Sequence, residues 1–150
     1  MWITRARLLI ATLWVGSLWA IGYLAAPTLF ATLYDRVLAG TIAGSLFRAE
    51  SWLSVICGAL LLSLKKLQDR HALPGKRQGV LLIVAMLACT IVGYFCLQPF
   101  MAALREAAGP TGVMAPDAKL QFAVLHGVSS GLYMIESLLG AALILKMRLP

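Results

Sequence analysis

The stretch LQFAVLHGVSSGLYMIESLLGAALILKM, residues 120–147, is apolar enough to lie in lipid, yet it holds His126, Ser129, Ser130 and Glu136. An imidazole and a carboxyl can relay a proton or bind a cation, and neighbouring hydroxyls can hold either group in place. Arg48, Glu50 and Gln98 add a guanidinium, a second carboxyl and an amide within other apolar runs. Helical residues turn by about 100° each, so His126, Ser129, Tyr133 and Glu136 share a sector of roughly 80°. That face must look away from lipid. A charged residue at mid-bilayer opposes insertion by about 2.5–3.5 kcal/mol, against about 0.3–0.6 gained per large apolar residue. The run can still insert, and Glu136 must then meet hydrogen bonds, water or a proton inside the protein.

Four apolar runs, about 8–33, 41–64, 80–104 and 120–145, are available to position these groups. Each exceeds the roughly 20 residues a helix needs to cross a hydrocarbon core of ~30 Å. Backbone in that core must bond to itself. The expected fold is therefore all-α, an integral membrane four-helix bundle made as a single domain over 1–150. Composition agrees: 61% of residues are hydrophobic, 13% are charged and the mean hydropathy is +0.86. Soluble domains run at about 45–50% and about 25%. The first run follows Arg5 and Arg7 but exceeds a signal-peptide core of about 7–15 residues, so it reads as a retained span.

Charge orients the bundle. Nine of the 13 Lys and Arg fall at the N-terminus, at the C-terminus or in the loop 65–79, while Arg36, Arg105 and Lys119 fall on the opposite side. The positive-inside rule predicts cytoplasmic termini, with His71 solvated in the cytoplasmic loop and 105–119 as an extracytoplasmic loop. The net charge of +7 is carried between apolar runs and not in a basic patch with interleaved aromatics, which excludes a nucleic-acid partner. The partners expected are the lipid bilayer and either a membrane protein or further copies of this chain.

Antiparallel spans aligned at their midpoints bring Arg48, Gln98 and His126 to one depth in the extracytoplasmic half. Ser129 and Ser130 lie beside them, and Pro27 and Pro99 disrupt their helices at the same level. This layer is the candidate intramembrane polar site. Glu136 lies inward of the midplane, and Glu50 shares a face with Ser54 and Cys57; the two carboxyls are candidate proton or polar residues. Each group also has a structural reading. Arg48 can snorkel to lipid phosphates. His126 and the serines can be interhelical glue, worth roughly 0.6 kcal/mol per bond. Gly40-x-x-x-Gly44 and Gly127-x-x-x-Gly131 are expected at helix-packing faces. No strong internal repeat appears.

Enzyme chemistry has little to stand on. There is no Gly-rich phosphate loop, HExxH or GxSxG pattern, and Ser129 lacks an orienting acid beside His126. No catalytic residue is assigned. Cys57, Cys89 and Cys96 lie in apolar runs without CxxC spacing, so no metal site is assigned either. Haem held by two histidines needs a second membrane histidine, and His126 is the only one. No cofactor is expected.

LWVGSLWAIGYLAAPTLFATL, AGTIAGSLFRAESW, YFCLQPFMAALR and FAVLHGVSSGLYMIESLLG resemble the bacterial members of the transmembrane-protein-205-like family. The resemblance implies four membrane spans in a bacterial inner membrane and no catalytic residues. The eukaryotic branch is linked to resistance to platinum drugs, which implies metal export or vesicle trafficking. A more distant similarity is to the copper-resistance D-like and four-helix protoporphyrinogen-oxidase membrane families, whose chemistry needs further membrane histidines. The leading expectation is a non-enzymatic accessory or interaction subunit. The alternatives are a small transporter or metal-resistance protein using the polar site, and a haem- or copper-binding redox protein.

Overall fold

The structure, a computed structural model, describes residues 2–71 and 78–147. Four helices in it are long and apolar enough to cross a membrane: Trp2–Thr32, Arg36–Leu67, Gln78–Ala107 and Pro116–Lys146. They are the first to fourth spans below, and no strand occurs among the described residues. The second helix continues to His71, so Lys65–His71 is helix and not the start of the expected loop. Apolar content marks only the lipid-crossing part, and Lys, Leu and Gln prolong a helix well beyond it. Lys76, Arg77 and Arg148, with the side chains of Arg70 and His71, lie outside the described residues.

Each span packs on the next, and the fourth returns to the first. The ring is tightly filled only in the half that holds Trp2 and Met147. There Ala11, Trp14 and Val15 meet Cys57, Leu61, Ile83, Met86 and Leu143, all almost wholly buried. Small residues allow the approach. A Cβ on Gly58 would lie 2.6 Å from Leu87 Cδ2, and one on Gly140 would lie 2.9 Å from Val15 Cγ2.

The opposite half, which holds the connections 33–35 and 108–115, is divided. The backbone of Ala26–Thr32 comes near only the second span and the segment before it; that of Gln98–Ala107 comes near only the fourth span and the segment before it. Two helix pairs therefore part company above the core. Both prolines sit at this level, each just beyond a π-helical stretch, Ala20–Ala25 and Ile91–Cys96. A proline offers no N–H to the carbonyl four residues back and its ring crowds that carbonyl. Wider pairing relieves both problems: the amide of Ala26 donates to Ile21, and that of Leu97 to Val92 at 3.1 Å, each five residues back.

The two pairs are related in sequence. The first and third spans each carry Gly-Tyr before the proline, at Gly22–Tyr23 and Gly93–Tyr94. The second and fourth share a longer pattern, Leu46-Phe47-x-x-Glu50-Ser51-x-Leu53 and Leu132-Tyr133-x-x-Glu136-Ser137-x-Leu139. The chain is two helical hairpins running in the same direction, and their equivalent helices carry these matching stretches. The match lies between alternate spans, joined by connections of unequal length.

Candidate functional site

The shared pattern puts one carboxyl from each hairpin at the level where the pairs separate. Glu50 and Glu136 are both 3% exposed. Glu136 accepts a hydrogen bond from Thr90 Oγ1 at 2.7 Å, and Glu50 accepts one from Ser54 Oγ at 2.7 Å. Trp14 Nε1 in turn donates to Ser54 Oγ at 2.6 Å, so an indole from the first span closes the network around Glu50. The two carboxyls are close enough to interact electrostatically.

One helical turn towards the loop end stand the aromatic partners of the same pattern. Phe47 and Tyr133 meet edge to face across the diagonal of the ring, 5.4 Å between centroids, and Tyr23 adds a second such contact at 6.4 Å. Tyr133 is fixed at its far end as well. Its hydroxyl donates to the Leu18 carbonyl at 2.6 Å, just ahead of the first π stretch, and its ring lies on Gly22, where a Cβ would clash.

These rings and both carboxyls line a cleft of about 930 Å³ that draws its walls from both hairpins. Its polar lining on the fourth span is His126, Ser129, Ser130, Tyr133 and Glu136, faced by Glu50 and Ser51 on the second span and Thr90 and Gln98 on the third. The outer wall is a stack: the Arg105 guanidinium lies 5.6 Å from the Phe122 centroid, and His126 stacks on the same ring at 6.0 Å. Arg105 reaches towards Gly44, where a Cβ would stand 3.8 Å from its terminal nitrogen. Arg36 and Glu106 also line the cleft, in residues near the connections. Part of its lining comes from the loop, whose Gly109 and Gly112 have φ of 67° and 66°, values glycine adopts without strain. A Cβ on Gly112 would also strike Val37.

Of the residues singled out from sequence, Gln98, His126, Ser129, Ser130, Glu50, Glu136 and Pro27 line this one cleft. Arg48 does not. It is exposed on the outside of the second span, about 200° around the helix from Glu50. Pro99 likewise lies outside the lining. The four glycines expected at packing faces close no contact within the chain. Gly40 and Gly44 line the cleft, and a Cβ on Gly127 or Gly131 would meet nothing within 4 Å. The close approaches fall instead at Gly58 and Gly140 in the filled core, at Gly22 under the Tyr133 ring and at Gly112 against Val37, none of them in a G-x-x-x-G pair. Sequence reading missed Thr90, the Trp14–Ser54 link and Arg105, which belongs to the third helix and not to a loop. The repeated Leu-aromatic-x-x-Glu-Ser pattern was the available signal. Among the described residues, no group of three or more His, Cys, Asp or Glu is placed to hold a metal ion.

Residues 9–110 match the family described as Domain of unknown function (DUF4149). The chain belongs to that family. The matched stretch of this DUF4149 protein covers most of the first three spans and includes Glu50, Thr90 and Arg105; the fourth span, with His126 and Glu136, lies beyond it. No curated protein and no solved structure gives a match.

Proposed function

We propose that this chain is a multi-pass inner-membrane protein that takes a small molecule into the cleft between its hairpins and moves it across the bilayer without a covalent step. The observation that carries this reading is the cleft. Its ~930 Å³ is the size of a site for a drug-sized ligand, about 300–1,000 Å³. It ends on two buried carboxyls, with a filled core beyond them. Helices that pair only for support would bring small or apolar residues into that space. Basic flanks in the cytoplasm would leave the cleft facing outward. A proline and a π stretch at one level of each hairpin supply hinges for rocking one repeat against the other. The likeness to the transmembrane-protein-205-like family, with its link to drug resistance, agrees with a protein that handles small molecules.

The test is accessibility. In a variant whose three cysteines are replaced by serine, Ser129→Cys should react with a membrane-impermeant maleimide from the outer face of intact cells. It should also react, more slowly, in inverted vesicles; Ala11→Cys, in the filled core, should react in neither. Reaction from one side only overturns transport, and no reaction from either side overturns the cleft as a ligand site.

A second reading, an accessory subunit or oligomer, is favoured by one observation. Gly127 and Gly131 present open backbone to the lipid side, where a neighbouring helix fits closely. Crosslinking through Gly127→Cys in native membranes would give a discrete dimer or a defined partner band, and monomer alone would count against it.

A further inference from the structure

Resting on the cleft as a small-molecule site, we infer that its occupant is a lipophilic organic cation. The positive centre lies between the carboxyls of Glu50 and Glu136, and the apolar substituents lie against Phe47, Tyr133 and Tyr23.

Charge comes first. Neither carboxyl is paired with Lys or Arg among the described residues; their hydrogen bonds come from the neutral hydroxyls of Ser54 and Thr90. Arg105, the lining guanidinium that reaches deepest along the second span, stands beside Gly44, six residues and so about 9 Å along the helix from Glu50. Two carboxylates in a low-dielectric interior repel, so both ionise together only when a cation comes between them and turns the repulsion into two attractions. An anion at the same place meets both charges.

Shape separates an organic cation from an inorganic one. The three rings line the cleft beside the carboxyls, and a cation close to aromatic faces is attracted by the ring quadrupole. A bare metal ion would use neither the rings nor most of the volume, and an organic cation uses both. An acyl chain fits the rings but not the floor. The repeated pattern adds a mechanical consequence. Each hairpin supplies one carboxyl and one ring from the same pattern, so a single occupant holds both repeats at once. Binding at this point therefore ties the two hairpins together.

The experiment uses the purified full chain in lipid nanodiscs, titrated with tetraphenylphosphonium and with its near-isosteric anion tetraphenylborate. The phosphonium should bind saturably and the borate should not. Glu50→Gln and Glu136→Gln should each weaken phosphonium binding by about tenfold or more, with Glu50→Asp and Glu136→Asp falling between. Tyr133→Phe keeps the ring and should bind within about threefold, whereas Tyr133→Leu should not. Each variant is first checked for a wild-type melting profile, and the Asp pair serves if the Gln pair fails to fold. Equal binding of the borate, or wild-type phosphonium affinity in folded carboxamide variants, overturns the inference. Absence of phosphonium binding while Ser129→Cys still reacts from both sides overturns the cation class and leaves the cleft reading standing. An unreactive Ser129→Cys removes both.

Discussion

Ser54 stands at the narrowest point of the polar network, accepting from Trp14 and donating to Glu50, itself wholly buried. Ser54→Ala would strand an indole N–H and strip Glu50 of its hydroxyl donor. Leaving buried groups unmet costs about 1–3 kcal/mol each. Tyr133→Phe loses one bond to the Leu18 carbonyl and keeps the ring, a loss of about 0.5–1.5 kcal/mol. Thermal unfolding in one detergent should therefore rank Ser54→Ala below Tyr133→Phe, and the reverse order would show that the network does not hold the carboxyls. Glycines give an opposed pair. Gly131→Ala gains about 0.8–1 kcal/mol of helix propensity into open space. Gly140→Ala gains the same but pushes on Val15 and Met86, where overpacking costs about 1–3 kcal/mol. The first should melt at or above wild type and the second below it. A destabilised Gly131→Ala would instead mean that another helix already covers that face.

Helix existence was readable because lipid leaves the backbone no alternative, and each apolar run exceeded the length of a crossing. Helix interruption was less so. Pro27 and Pro99 announced a break, but spacing does not say whether a proline kinks a helix or is absorbed by a π stretch. That choice depends on whether a neighbour accepts the bulge, and here Gly22 lets the Tyr133 ring lie against the widened turn. If the π stretches hold the hairpins apart, restoring the missing amides should bring them together. Pro27→Ala and Pro99→Ala should each slow maleimide labelling of Ser129→Cys several-fold, and the double variant more than either. Unchanged rates would place the cause of the opening elsewhere, in the side chains of the cleft.

At the scale of the whole chain, depth was legible and azimuth was not. Counting residues from each midpoint put Gln98 and His126 near one level, and both line the cleft; the same count admitted Arg48, which points outward. The shared pattern bears on azimuth, since Glu50 and Glu136 hold matching positions in it and both turn into the cleft. It recurs only between alternate spans, across loops of different length. It has a dynamic consequence. Core contacts tie all four helices in the terminal half, while in the loop half the backbones of Ala26–Thr32 and Gln98–Ala107 come near only their own hairpin. Local opening is easiest where few contacts oppose it. Hydrogen exchange in nanodiscs should therefore divide each helix at the level of the carboxyls. Amides around Ala11–Leu18, Cys57–Leu61, Ile83–Met86 and Gly140–Leu143 should be the last to exchange. Those of Ala26–Thr32 and Gln98–Ala107 should go early, and at similar rates, because they are equivalent parts of the two repeats. Binding of a cleft occupant should slow both together. If one slows alone, the occupant rests on a single hairpin and the repeated pattern has no mechanical meaning.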